Sequence, residues 1–304
     1  MQMLYTIRKV HQGEKIMRKT ARLRELLAGD SIVLAGGAHD AFSARLVEQA
    51  GFELCVVTGA GVAACRGYPD VGLVTLEEMT RNARYIADAI KIPVIIDADN
   101  GYGNAINVVR TVREFEHSGV AGIHLEDQTW PKRCGHMFGK IVIPKEEMVQ
   151  KLRAAQEARE DPNFVIIARC DAMLVNGLED VLERGDAYIE AGADMLFCEV
   201  RDSMEEIEAL AKHFKGRIPL HWNHSPSPMV PRLSASQVEA MGFKTCCFYV
   251  QSLMAASKTM QQVLAKIRET GTSEGVVDRM IGFDELWEIN DMATIREMER
   301  KYAV

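Results

Sequence analysis

At 304 residues, with 47% apolar and 26% charged side chains, the chain can bury a sizeable core, and its composition excludes disorder. A formal net charge of -7 gives no basic face for nucleic acid, so an anionic ligand has to be met by locally concentrated cations. No stretch of about 18 apolar residues occurs, which excludes a membrane span, and an odd number of cysteines without paired spacing excludes a secreted disulfide framework. A reducing cytoplasm is the expected compartment.

The chain begins with Arg8, Lys9, Lys15, Arg18 and Lys19 and no apolar segment behind them, so a frayed start rather than a secretory signal is expected. Thr20 to Leu27 reads as a short helix that Gly29-Asp30 stops. A rhythm of short apolar runs follows: 32–35, 54–57, 94–96, 122–125, 165–168, 195–198, 218–222 and 246–249. Such continuous runs suit strands buried on both faces. Helical segments separate them at 75–90, 104–118, 145–159, 178–191 and 203–214. Gly51, Gly119, Gly192 and Gly242 stand where helices should stop. Eight strands alternating with helices predict an α/β fold of the (α/β)8 TIM-barrel type. An open doubly wound sheet would want a Gly-rich dinucleotide turn, which Gly36-Gly37-Ala38-His39-Asp40 matches poorly. Residues 1–270 are read as the barrel domain. After the helical segment 251–268, the polar break 269–275 leads to a helical tail, 271–304, too apolar to be a free appendage. It is expected to pack on the barrel or on a partner subunit.

Barrel chemistry sits at the C-terminal ends of strands, and six of these ends carry polar or charged groups. The second run ends in Thr58-Gly59-Ala60-Gly61, whose amides suit a carboxylate or phosphate. The third ends in Asp97-Ala98-Asp99, the fourth in Glu126-Asp127, the fifth in Arg169-Cys170-Asp171, the sixth in Glu199 and the seventh in Asn223-His224-Ser225-Pro226-Ser227. Carboxylates without thiolate or paired histidine ligands favour a hard, oxygen-ligated ion, Mg²⁺ first and Mn²⁺ next. Arg169 suits an anionic ligand. The loop after strand four packs Lys132, Arg133, Cys134, Gly135 and His136 together; nearby positive charge favours the thiolate and marks Cys134 as reactive. On these residues alone, Cys134 is either a proton donor or a nucleophile activated by His136 in a hydrolase.

Thr58-Gly59-Ala60-Gly61-Val62-Ala63-Ala64, Asp97-Ala98-Asp99 with Gly101-Tyr102-Gly103, Glu126-Asp127-Gln128, Lys132-Arg133-Cys134-Gly135-His136 and Ala168-Arg169-Cys170-Asp171-Ala172 together resemble the isocitrate lyase and phosphoenolpyruvate mutase superfamily. The thiol loop resembles its carbon–carbon lyase branch, that of the 2-methylisocitrate and 2,3-dimethylmalate lyases. The resemblance implies Mg²⁺-dependent, retro-aldol cleavage of a 2-hydroxy di- or tricarboxylate into an α-keto acid and a second carboxylate. Related activities of the superfamily, oxaloacetate hydrolysis or decarboxylation and phosphonate C–P chemistry, are the alternative. It implies catalytic roles for Cys134, Lys132, His136, Arg169 and Glu199, and substrate contacts from Thr58, Gly59, Ala60, Arg133, Gly135, Asn223, Ser225 and Ser227. Asp97, Asp99, Glu126 and Asp70 are the implied metal-site acids. A homotetramer with exchanged C-terminal helices is implied as well. Val56, where methylisocitrate lyases usually carry tyrosine, and the 223–227 run depart from the methylisocitrate lyase pattern.

Overall fold

The computed structural model describes residues 17–135 and 137–303. The site candidate His136 and the basic residues Arg8, Lys9 and Lys15 lie outside the described residues. The chain opens with α1 (Lys19–Ala28), β1 (Val33–Ala38), α2 (Ala41–Gln49), β2 (Leu54–Val57), α3 (Gly59–Cys65) and α4 (Leu76–Ala89). It continues through β3 (Val94–Asp97), α5 (Ala105–His117), β4 (Gly122–Glu126), α6 (Lys145–Ala158), β5 (Val165–Cys170) and α7 (Leu178–Glu190). Then come β6 (Met195–Cys198), α8 (Met204–Phe214), β7 (His221–Asn223), α9 (Ala235–Met241) and β8 (Thr245–Phe248). Three helices close the chain: α10 (Gln251–Thr270), α11 (Phe283–Ile289) and α12 (Met292–Tyr302).

All eight strands are parallel, in the order β6-β5-β4-β3-β2-β1-β8-β7. A single parallel bridge between Leu196 and Leu220 joins the two ends of that order, giving the expected α/β barrel. The seventh strand begins later than its apolar run, at His221 instead of Ile218, because Pro219 has no N–H to offer the ladder. The carbonyl of Pro219 instead accepts from the Leu196 N–H at 3.1 Å and so takes part in the closure.

Alternation along each strand divides the core in two. Val33, Ala35, Leu54, Val56, Ile95, Val165, Ile167, Met195 and Phe197 point into the barrel, where Leu23 of α1 packs with them. The opposite faces pack against the helices through Val57, Ile96, Ile123, Ile166, Leu196 and their neighbours. Capping boxes start α4 (Thr75 with Glu78), α5 (Asn104 with Asn107) and α9 (Ser234 with Gln237). β1 runs on through Gly36-Gly37 to Ala38, beyond the apolar run 32–35. The residue at 37 has to be glycine, because a Cβ there would lie 2.1 Å from the Tyr249 carbonyl oxygen and 2.3 Å from that of Phe248. That close approach seats the end of β8 and the start of α10 against β1.

α10 leaves the barrel with none of its residues buried. Met254, Leu264, Phe283, Trp287 and Tyr302, on α10 to α12, are exposed. No described helix is long and apolar enough to cross a membrane.

Candidate active site

The C-terminal strand ends surround a cavity of about 330 Å³. Of the residues singled out in the sequence, Thr58, Ala60, Asp70, Asp97, Cys134, Gly135, Arg169, Glu199, Asn223, Ser225 and Ser227 line it. Gly59, Asp99, Glu126 and Lys132 sit just behind this lining, packed against or paired with residues of it, and the side chain of Arg133 is exposed at the surface. A parallel barrel brings these positions together because every strand delivers its C-terminal end to the same rim.

The Thr58 segment is a helix start instead of a bare turn. Thr58 caps α3, its Oγ1 accepting from the Gly61 N–H at 3.3 Å, and Thr58 and Ala60 at this helix start line the cavity. Gly59 has no room for a side chain, since a Cβ would lie 2.8 Å from Asp97 Oδ2. β3 ends at Asp97, and the chain then turns: Asp99 adopts a left-handed φ of 47° and donates its N–H to Asp97 Oδ1 at 3.1 Å. The two carboxylates therefore approach the site from a turn and not from one strand face.

Arg169 is the cationic centre. Its guanidinium reaches Asp171 Oδ2 at 2.9 Å, Glu199 Oε1 at 3.1 Å, Glu126 Oε2 at 3.5 Å and Asp97 Oδ2 at 3.9 Å. Burial disfavours its charge, but Asp171, Glu126, Glu199 and Asp97 outweigh that cost and hold the group charged well above the usual arginine range. Lys132 behaves alike. It pairs with Asp70 Oδ1 at 2.5 Å and Asp99 Oδ1 at 2.8 Å, and the acids around it overcome burial to raise its pKa. Glu126 is the opposite case: burial pushes its carboxyl well above the usual range, with Arg169 and Lys132 only partly offsetting. Among the described residues, neither Glu126 oxygen has a hydrogen-bond partner.

The thiol loop leaves β4 and returns beside it, with Gln128 bridged antiparallel to Val142. Gln128 braces the loop from within, its Oε1 accepting from the Arg133 N–H at 3.0 Å and its Nε2 donating to the Arg133 carbonyl at 2.8 Å. The Cys134 N–H donates to the Asp70 carbonyl at 3.1 Å. Gly135 lies tight on the cavity rim, where an added Cβ would be 2.6 Å from both Arg169 Nη2 and Glu199 Oε1. On the far wall, Asn223 Nδ2 donates to Glu199 Oε1 at 3.3 Å. Ser225 Oγ accepts from the Ser227 N–H at 3.1 Å and Ser227 Oγ from the Met229 N–H at 3.2 Å, which leaves both hydroxyl protons available to an anion.

These features agree with what the comparisons with known proteins find. A family model for phosphoenolpyruvate phosphomutase matches residues 23–268, which is most of the chain. The chain belongs to that family. It is 42% identical to 2,3-dimethylmalate lyase of Eubacterium barkeri, over 94% of this chain and 99% of that protein. It is also 42% identical to the probable 2-methylisocitrate lyase 1 of Corynebacterium glutamicum, over 91% and 90%. Among solved structures, 2,3-dimethylmalate lyase, a PEP mutase/isocitrate lyase superfamily member, superposes with a TM-score of 0.89 at 34% identity, covering 94% of this chain and 96% of that one. Phosphonopyruvate hydrolase in complex with oxalate and Mg²⁺ superposes with a TM-score of 0.87 at 31% identity, covering 95% and 100%.

For a phosphoenolpyruvate phosphomutase family chain the cavity floor is as informative as its rim, and the floor was not anticipated from the sequence. His124, Phe197 and Tyr249 line it. The Tyr249 hydroxyl bonds His221 Nε2 at 2.8 Å and His124 Nε2 at 3.1 Å, so it donates to one ring and accepts from the other. Burial, then Arg169, pushes His124 down to about 3, and His221 is likewise held neutral by burial and its neighbours. Phe197 stacks on Tyr249 and carries Arg169 over its face at 4.9 Å. A usable signal did exist. His124 and Phe197 stand two residues before Glu126 and Glu199, hence on the same strand faces as those acids.

Proposed function

We propose that the chain is a carbon–carbon lyase that cleaves a 2-hydroxy di- or tricarboxylate, of the 2-methylisocitrate or 2,3-dimethylmalate kind, into an α-keto acid and a second carboxylate. The names of its relatives support the lyase reading. The observation that carries it is one cavity lined by a thiol at Cys134, the guanidinium of Arg169 and the carboxylate of Asp97.

Mg²⁺, with Mn²⁺ as substitute, is the proposed cofactor. The acids are of the oxygen-donor kind this ion takes: Asp97 lines the cavity, and Glu126 keeps buried oxygens without a hydrogen bond, Oε2 meeting only the Arg169 guanidinium at 3.5 Å. Asp70 and Asp99 are held by Lys132, and among the described residues no three ligating side chains gather at one point, so an ion here would take waters as well and would compete with Lys132 for those two acids. When bound there, the ion supplies Lewis-acid polarisation of the substrate's hydroxyl and carboxylate oxygens. Thr58, the Gly59 and Ala60 amides and Arg169 then hold the carboxylate and the reacting oxygen. The hydroxyl proton passes to a carboxylate base, for which Asp70 in the cavity lining is placed, the oxygen's pair forms the C=O bond, and the C–C bonding pair passes to the carbon beside the second carboxylate. Cys134 gives that carbon its thiol proton, from a loop that Lys132 ties to Asp70 and Asp99. His136 is proposed to help place the second carboxylate and to tune the thiol beside it. Glu199 and Asn223, with Ser225, Ser227 and Gly135, seat the second carboxylate; Arg133, expected from the sequence to join them, is exposed outside the cavity lining and is left out of this role.

The test is a panel of 2-hydroxy dicarboxylates and tricarboxylates assayed for α-keto acid release with Mg²⁺. One of the branched acids is expected to turn over, and EDTA is expected to cut the rate about 100-fold or more, with recovery on adding Mg²⁺. No keto acid from any member, or full rate in EDTA, would sink the lyase or the metal respectively.

The tail 271–304 and α10 are proposed to pack on neighbouring copies in a cytoplasmic homotetramer with exchanged C-terminal helices. The exposed Phe283, Trp287 and Leu264 support this, because such surface is costly to leave in water. Sedimentation is expected to give four copies; a stable monomer would overturn the assembly.

A further inference from the structure

We propose that Lys140, clamped on Asp171, is the positioning residue of the thiol loop: it sets Gly135, and through it the adjacent Cys134, over the cavity. The consequence for turnover rests on the lyase reading above, whereas the clamp does not.

Lys140 is buried, although lysine rarely is. Its Nζ donates to the Gly135 carbonyl at 2.7 Å and to Asp171 Oδ1 at 2.9 Å. Both bonds are made where desolvation is costly, so each counts for more than a surface pair. The second oxygen of Asp171 accepts from Arg169 Nε at 2.9 Å. One carboxylate thus holds the loop through Lys140 and the guanidinium through Arg169.

That carboxylate cannot drift. The Asp171 N–H donates to Asp127 Oδ1 at 2.8 Å, and Asp127 Oδ2 accepts from the Tyr188 hydroxyl at 2.8 Å and from Arg184 Nη1 at 3.3 Å. The anchor therefore extends from α7 through the ends of β4 and β5 to the loop. The Gly135 carbonyl is drawn to Lys140, while its α-carbon packs on Arg169 and Glu199 with no space for a side chain. Releasing the carbonyl frees Gly135 to lift, and Cys134 moves with it. A displacement of about 1 Å at a reacting group is enough to cost on the order of 100-fold.

The experiment alkylates the full-length protein with iodoacetamide and follows Cys134 and Cys65 by peptide mass spectrometry. Cys65 is exposed at the end of α3 and serves as internal reference. In Lys140→Met, Cys134 is expected to react about tenfold faster with Cys65 unchanged, the signature of a local opening. Loss of a cation alone would slow thiolate chemistry, so acceleration reports position and not charge. Lys140→Arg is expected to restore the Cys134 rate to within about threefold. On an active substrate, kcat of Lys140→Met is expected to fall about 10- to 100-fold with little change in KM. If the Met variant fails to fold, Lys140→Gln, which keeps an N–H donor, carries the same measurement. An unchanged Cys134 rate in a folded variant, or Cys134 and Cys65 accelerating together, overturns the proposal. A wild-type chain inactive on every acid defeats the lyase reading and leaves alkylation to decide the clamp.

Discussion

Cys134→Ser is expected to lower kcat by about 10²–10⁴-fold while substrate and Mg²⁺ affinities stay within about threefold. Serine is nearly isosteric, and two backbone bonds of residue 134 do not depend on its side chain: its N–H on the Asp70 carbonyl and its carbonyl on the Met137 N–H at 2.8 Å. The cavity wall of Asn223, Ser225 and Ser227 is untouched. The alcohol proton, however, is far less acidic than a thiol proton, so delivery to a carbanion slows. Isothermal titration with an unreactive dicarboxylate, beside single-turnover release of α-keto acid, separates the two effects. Turnover within about fivefold of wild type would remove the acid role of this thiol. A substrate adduct trapped on Cys134 would turn the assignment towards the nucleophile of a hydrolase.

Arg169 is expected to matter twice, and two substitutions separate the roles. Arg169→Lys keeps a charge but cannot span Asp171, Glu199, Glu126 and Asp97 from one planar fork, so kcat/KM is expected to fall about 10²–10³-fold. Arg169→Met leaves those acids without their shared cation in a buried site. Removing one partner of such a network costs about 3–5 kcal/mol, which urea unfolding would show as a lower midpoint at unchanged slope. Lysine is expected to recover much of the stability and little of the activity. Near-normal kcat/KM in Arg169→Lys would mean that the guanidinium only balances charge and does not hold the reacting oxygen.

Several parts of this molecule are legible in the sequence for definite reasons. Parallel strands buried on both faces require continuous apolar runs, which is why 94–96, 122–125, 165–168 and 195–198 each coincide with an observed strand to within about two residues. Once eight such runs alternate with helices, the barrel gathers their C-terminal ends, and Thr58, Asp97, Arg169, Glu199 and Asn223 meet at one cavity although they are spread over some 165 residues. The thiol loop needed no tertiary information to stand out.

Other features depend on contacts that periodicity does not encode. α3 reads as a turn because Gly59-Ala60-Gly61 has poor helix propensity, yet the Thr58 cap and the tight seat of Gly59 against Asp97 make it a helix. Spacing alone lets Asp97 and Asp99 share a strand face or straddle a turn, and the structure takes the turn: Asp99 adopts a left-handed φ and pairs with Lys132. Arg133 is exposed while Lys132 beside it is buried, a choice made by Asp70 and Asp99 from other segments. Tyr249, just after β8, and His221, on the adjacent β7, meet His124 of β4 only because barrel closure brings β4 opposite that pair of strands.

The sequence by itself determined the barrel, the rim of acids and cations, and the thiol loop at that rim, since burial period and strand-end chemistry are local properties. Only the tertiary structure decided which of those groups face the cavity, which stand behind it, and that a buried lysine and aspartate fasten the thiol loop to β5. Hydrogen bonds across large sequence separations set these, and nothing local to Lys140 or Asp171 marks them as partners.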